Sequence, residues 1–88
     1  MERTITIVNK LGLHARAAAK LVTLAATFKS DIRVCKDAKE VSGKSIMGVM
    51  MLAAAKGSRL TFTADGPDAE KALDALEALI GRKFDEGA

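Results

Sequence analysis

The chain has no tryptophan and no tyrosine, and holds one cysteine, one proline and one histidine in 88 residues. A lone cysteine, Cys35, cannot close an internal disulfide, so a structural thiol in a reducing compartment is expected. One histidine with one cysteine cannot supply the usual ligand set of a zinc site, which leaves no metal centre to expect. The 3 phenylalanines are the only aromatic residues, and the basic residues are not interleaved with stacking groups, so nucleic acid is not the expected partner. No apolar run approaches the length of a membrane span, and Met1-Glu2-Arg3-Thr4-Ile5 does not open a signal peptide. A cytoplasmic protein without membrane insertion is therefore expected. Gly43-Lys44-Ser45 imitates the end of a phosphate-binding Walker A loop, but the earlier glycine of that motif would fall at position 38, which is Ala38. No nucleotide site and no cofactor are expected.

Acidic residues are missing from two stretches. Between Arg3 and Ser30 the charged positions are Arg3, Lys10, Arg16, Lys20 and Lys29, and between Lys44 and Arg59 they are Lys44, Lys56 and Arg59. Most acids fall from Asp65 onward, so a formal net charge of +3 hides a basic front and an acidic tail. Such asymmetry steers an acidic or phosphorylated protein partner towards one face.

A length of 88 residues suits one domain, 1–88, able to bury about 60–65% of its unfolded surface without staples. Thr4 to Val8 alternates, with Ile5 and Ile7 on one side, as a half-buried strand does. From Ala15 to about Phe28 the apolar positions Ala18, Leu21, Val22, Ala25 and Phe28 recur at helical spacing. Ile32 to Cys35 and Lys39 to Val41 form a hairpin around Lys36-Asp37-Ala38. Ile46 to Ala53 is a short helix, and Leu60, Phe62 and Ala64 alternate with Thr61 and Thr63 in a fourth strand. Gly66-Pro67-Asp68 opens the last helix, with proline at its first position and an inward face of Leu73, Leu76, Leu79 and Ile80. The pattern βαββαβα, with no linker or repeat, gives a single α+β domain in which three helices cover one face of a four-stranded antiparallel sheet. Thr4, Thr6, Arg33, Thr61 and Thr63 suit the wet face.

His14 lies where the first strand-like segment gives way to a helix. The first turn of a helix presents unpaired N–H donors and partial positive charge, a setting that stabilises a phosphoryl group. Arg16 strengthens this, because first turns favour acids and here a cation is held against the dipole, with Lys20 a turn further on. Neutral imidazole is a good nucleophile. No acid lies near His14 in the sequence to act as a base. On residue type alone, a histidine before a helix is usually an ordinary cap or a solvated surface group, and a protein-interaction module without covalent chemistry stays open as an alternative. Ser45 is likewise a good N-cap for the helix that starts directly after it. Met47, Met50 and Met51, with Ile46 and Val49, supply more apolar surface than one short helix turns inward. Val49, Met50 and Ala53 are the candidates for core, and Met47 with a neighbour for an exposed, adaptable patch rimmed by Lys20, Lys44 and Lys10.

Asn9-Lys10-Leu11-Gly12-Leu13-His14-Ala15-Arg16 resembles the active-site segment of the HPr family, the histidine-phosphorylated carriers of the bacterial phosphotransferase system. Lys44-Ser45-Ile46-Met47-Gly48-Val49-Met50 resembles the regulatory serine segment of the same family, at a matching distance, so that the resemblance covers essentially the whole chain. It implies an open-faced β-sandwich with strand order first, fourth, second, third. It implies that His14 accepts a phosphoryl group on Nδ1 from Enzyme I and hands it to histidines of Enzyme IIA, with Arg16 and the backbone N–H groups of Ala15 and Arg16 holding the phosphate. Carriage of a group rather than independent turnover follows. It further implies a regulatory phosphorylation of Ser45 by an HPr kinase/phosphorylase, a partner-binding surface that includes Lys20, Lys44, Ile46, Met47 and Met50, and a monomer. Members of the family commonly have proline directly after the arginine, where this chain has Ala17. That variant and the spelling Asn9-Lys10-Leu11-Gly12 also resemble the nitrogen-branch paralogue and proteobacterial forms, leaving a nitrogen-branch regulatory carrier as the alternative to sugar uptake.

Overall fold

Alternation decides the sheet. Leu60, Phe62 and Ala64 are buried while Thr61 and Thr63 between them face the other way, half exposed, the period of two that sends neighbouring side chains to opposite faces. The computed structural model describes residues 1–86. Its strands β1 (Glu2–Thr6), β2 (Asp31–Lys36), β3 (Lys39–Ser42) and β4 (Arg59–Asp65) form an antiparallel sheet in the order β1-β4-β2-β3. The helices are α1 (Ala15–Ala25), α2 (Ile46–Met51) and α3 (Ala69–Gly81), followed by a single 3-10 turn at Lys83–Asp85. The register pairs Ile5 with Leu60 and Val34 with Phe62, so both pairs point towards the helices. Thr4, Thr6 and Arg33 are exposed on the opposite face, where the Thr4 and Thr61 hydroxyls meet at 3.3 Å.

Segment boundaries differ from the periodicity in instructive ways. β1 begins two residues before the alternation suggests, and Ile7 lies beyond its end. Ile7 nevertheless keeps its pairing, donating its N–H to Ser58 O at 2.8 Å and accepting from Gly57 N at 2.7 Å. α1 ends at Ala25 rather than Phe28 because the next turn tightens: Thr27 donates both its backbone N–H and its hydroxyl to Leu24 O. Phe28 still packs against the core. Ala17, not foreseen, is fully buried with Ala18, Leu21 and Ala25, three of the four being small alanines.

Pro67 is not the first residue of α3. Asp68 is the cap by position and the helix starts at Ala69, but the Asp68 carboxylate makes no hydrogen bond to that helix. It accepts from Lys29 N at 2.9 Å, from Ser30 N at 3.0 Å and from the Ser30 hydroxyl at 2.6 Å, tying the start of α3 to the approach to β2. The Ser30 hydroxyl above all, with the Lys29 N–H, pulls the Asp68 carboxyl down to about 2, against a burial effect that works the other way. Leu73, Leu76, Leu79 and Ile80 line the inner side of α3 with Ala72. Arg3 of β1 reaches Asp74 and Glu77 on its outer side at 2.6 and 3.1 Å.

After α3 the chain turns in an unusual way. Lys83, Phe84 and Asp85 all have positive φ, at 58°, 54° and 61°, in the left-handed region that costs L-residues about 1–2 kcal/mol each. What holds them there is visible in the contacts. Phe84 is fully buried in the core, and its carbonyl accepts from Lys20 Nζ at 2.6 Å. Asp85 N and Glu86 N donate back to Arg82 O and Lys83 O, each at 3.0 Å. This closing segment, absent from the sequence-based expectation, lays Glu86 against the start of α1.

Candidate functional site

The loop that delivers His14 is fixed by backbone contacts. Gly12 has φ +67°, and a Cβ added there would lie 2.5 Å from Ala54 O and 2.9 Å from Ala55 Cα. Only glycine gives both the left-handed turn and this close approach. The next residue, Leu13, donates its N–H to the same Ala54 carbonyl at 2.8 Å. Asn9, fully buried, closes the loop on itself: its carbonyl accepts from Gly12 N at 3.2 Å, and its Nδ2 donates to Gly12 O at 2.9 Å.

His14 is the N-cap of α1 by its backbone, with φ −73° and ψ 176°, and its carbonyl accepts the first helical bond from Ala18 N at 2.9 Å. Its ring makes no cap hydrogen bond. A histidine serving only as a cap would have turned its side chain onto the helix N–H groups. Instead the ring stands in an open cleft lined by Lys10, Leu11, Ala15, Arg16, Lys20, Asp85 and Glu86. The N–H groups of Ala15 and Arg16 are among the first-turn donors that helix geometry leaves unpaired. Arg16 is exposed and makes no hydrogen bond or ion pair with the described residues. The helix carries no acid in its first turn, so its N-terminal field is uncompensated from within.

An acid does stand beside His14, which corrects the expectation that none would. Glu86, 72 residues on in sequence, places Oε2 against His14 Nε2. Its Oε1 accepts from Asn9 Nδ2 at 2.9 Å. Burial pushes the Glu86 carboxyl up, but hydrogen bonds from Asn9 and His14, with the charges of His14 and Lys20, together hold it below the usual glutamate value. No local spacing could announce this pair. The only sequence signal was the acidic tail beside a basic front.

The second segment lies at the start of α2. Ser45 caps that helix, its Oγ accepting from Gly48 N at 3.1 Å. Lys44 donates its ammonium to Phe28 O at 2.8 Å, and Lys20 donates to Phe84 O, so both lysines are anchored to backbone rather than swinging free. α2 buries only Val49; Met50 and Ala53 are exposed, contrary to their candidacy for core. A helix of 6 residues has room for little more on its inner face. Ile46, Met47, Met50 and Met51 are therefore all outward, with Met47 69% exposed, and Leu11 adds a further exposed apolar side chain beside His14. Met51 belongs to the surplus apolar set named from the sequence, whereas Leu11 is an exposed apolar residue that the sequence did not single out.

Fold and site together define a class: a small open-faced α+β carrier scaffold presenting one imidazole in an open, charged cleft at a helix start. The comparisons agree. A family model described as "PTS HPr component phosphorylation site" matches residues 1–82. The chain is 55% identical over 87 residues to phosphocarrier protein HPr of Cupriavidus necator, covering 99% of this chain and 98% of that protein. It is 47% identical over 88 residues to phosphocarrier protein NPr of Shewanella violacea, covering 100% of this chain and 97% of that one. The crystal structure of HPr from Thermoanaerobacter tengcongensis superposes with a TM-score of 0.94 at 50% identity, covering 98% of this chain and 97% of that chain. The chain belongs to the HPr family of phosphocarrier proteins of the phosphotransferase system, and its strand order and open sheet are those of that family.

Proposed function

We propose that His14 takes a phosphoryl group from phosphorylated Enzyme I and passes it to a histidine of Enzyme IIA, the chain acting from 1 to 88 as a single carrier domain without turnover of its own. The observation that carries this is the uncapped ring of His14 at the start of α1, in a cleft where Arg16 has no protein partner among the described residues. A phosphohistidine bears about 1.5–2 negative charges by analogy with other phosphoryl groups. Arg16 and the N–H groups of Ala15 and Arg16 would meet that charge. No cofactor or metal enters the scheme.

Ser45 is the second modification site in this proposal, the substrate of an HPr kinase/phosphorylase. Its hydroxyl already accepts from Gly48 N, and a phosphate there would sit at a helix start that tolerates charge. It would also put that charge beside Ile46, Met47 and Met50, which with Lys20 and Lys44 form the proposed docking surface. Docking would suffer while the fold persisted. A monomer in the cytoplasm, free to meet several protein partners in turn, suits this role, and nucleic acid has no part in it. Likeness to NPr favours a nitrogen-branch regulatory output as the second reading, with the same chemistry at His14.

The test is incubation with phosphoenolpyruvate and Enzyme I, read by phosphorus NMR and intact mass. One added phosphate that is acid-labile, base-stable and lost in His14→Ala is expected. Arg16→Ala should slow its transfer at least tenfold while leaving the melting temperature within about 2 °C, since an exposed, unpaired side chain contributes little to stability. No phosphate, or phosphate retained without His14, refutes the carrier reading; an unchanged Arg16→Ala rate refutes the role of that arginine.

A further inference from the structure

The imidazole of His14 has two nitrogens, and the fold treats them differently. Nε2 is engaged by Glu86 Oε2, whereas Nδ1 has no hydrogen-bond partner among the described residues. A carboxylate that accepts from Nε2 requires the proton to be on that nitrogen, which leaves the lone pair of the neutral ring on Nδ1. The same logic operates wherever an acid fixes the tautomer of a catalytic histidine.

Glu86 is itself held from two sides. Asn9, fully buried, donates to its other oxygen at 2.9 Å, and the same Asn9 closes the loop that carries His14. On the other side, three successive left-handed residues, Lys83, Phe84 and Asp85, turn the chain back so that Glu86 arrives over the ring. Phe84 anchors that turn in the core and Lys20 clasps its carbonyl. Backbone in sparsely populated regions persists where the surroundings enforce it, and it gathers at functional sites. The Glu86 side chain keeps only 11% of its exposure and that of His14 29%, so the pair is shielded from competing water on one side and open on the other.

We propose that Glu86 is a positioning residue for His14: it fixes the ring as the Nε2–H tautomer, aims Nδ1 into the cleft, and stabilises the positive charge that the ring gains on phosphorylation. This rests on the carrier reading of His14. In the step itself the Nδ1 lone pair forms the new N–P bond as the P–N bond of the donor phosphoimidazole breaks, its electron pair returning to the donor ring. The proton stays on Nε2, hydrogen-bonded to Glu86. With both nitrogens substituted the ring becomes cationic, and the carboxylate faces that charge directly.

The test uses the full chain labelled with nitrogen-15 in histidine, as wild type, Glu86→Gln and Glu86→Ala. In the unphosphorylated wild type at high pH, imidazole nitrogen shifts should report a single Nε2–H tautomer. Glu86→Ala should show a mixture of tautomers and accept phosphate from Enzyme I more slowly by about tenfold or more, the size of effect seen when an orienting partner of a histidine is removed. Glu86→Gln, which keeps an acceptor oxygen but no charge, should retain the tautomer and recover only part of the rate. Tautomer and rate unchanged in both variants, with wild type still phosphorylated on His14, would overturn this proposal alone. A wild type that takes no phosphate on His14 would instead overturn the carrier reading beneath it. A tautomer change without any change of rate also counts against the proposal, since the aim of the ring would then not matter to transfer.

Discussion

Replacing Phe84 tests the closing segment from two directions at once. The ring is fully buried in the core, so Phe84→Ala removes its burial and leaves a cavity, at about 3–5 kcal/mol. For 88 residues a total stability of roughly 4–13 kcal/mol is typical, so the variant loses a large share of it. Phe84 also has φ 54°, where alanine is strained and glycine is not. Phe84→Gly loses the same ring but relieves the left-handed strain, and after glycine's extra unfolded-state freedom is subtracted it should be more stable than Phe84→Ala by about 0.5–1 kcal/mol. That reverses the usual order within helices and strands. Urea unfolding followed by circular dichroism measures it, with a slope of about 1 kcal/mol per molar expected for a small protein. The wild-type midpoint should fall by about 3 M or more in Phe84→Ala, and by up to about 1 M less in Phe84→Gly. A loss under about 1 kcal/mol in both would mean that the ring is not core. Phe84→Gly less stable than Phe84→Ala would refute the left-handed turn.

Gly12→Ala places a Cβ 2.5 Å from Ala54 O in a left-handed residue, so it should cost about 1–3 kcal/mol in thermal unfolding and slow phosphoryl acceptance by shifting the loop before His14; a melting temperature equal to wild type would contradict this. Asp68, held at about 2 mainly by the Ser30 hydroxyl and the Lys29 N–H, has a folded value below its unfolded one, so its contribution to stability is fully present above about pH 4 and is lost as pH falls towards 2. Urea midpoints of Asp68→Asn should therefore fall less steeply than wild type across that window, and parallel profiles would remove Asp68 from the acid response. Met47→Ala, at a side chain 69% exposed, should lower Enzyme I affinity several-fold in titration calorimetry with under about 0.5 kcal/mol lost from the fold, and the opposite ranking would return Met47 to a structural role.

The sheet and the long helices were legible because their cause is local. Leu60, Phe62 and Ala64 carry a period of two, Leu73, Leu76 and Ile80 a helical period, and burial follows both. Strand order came from resemblance, since alternation says which face a residue takes but not which neighbour it pairs with. α2 was legible in position but not in its inner face. Helical spacing offers Val49, Met50 and Ala53 together, and a helix ending at Met51 buries only the first of them. His14, Arg16 and Ser45 were visible because their oddity is local too: a cation in an acid-free first turn, a hydroxyl at a helix start. The meeting of Glu86 with Asn9 and His14 was invisible because it depends on a non-glycine left-handed turn, for which Lys83-Phe84-Asp85 carries no compositional mark.

The charge asymmetry of the sequence changes meaning once the chain is folded. A basic front and an acidic tail suggest a molecule with two separated poles. Yet Glu86 returns to the basic cleft and Asp85 pairs with Arg82 at 3.1 Å, while Asp74 and Glu77 are matched to Arg3. Local acids thus answer several of the local cations. Arg16 is left without an ion-pair partner among the described residues, at the open mouth of the cleft and beside the unpaired donors of α1. What an anion would meet there is set by one unpaired guanidinium placed among Lys20, Asp85 and Glu86, and not by the net charge of the whole chain.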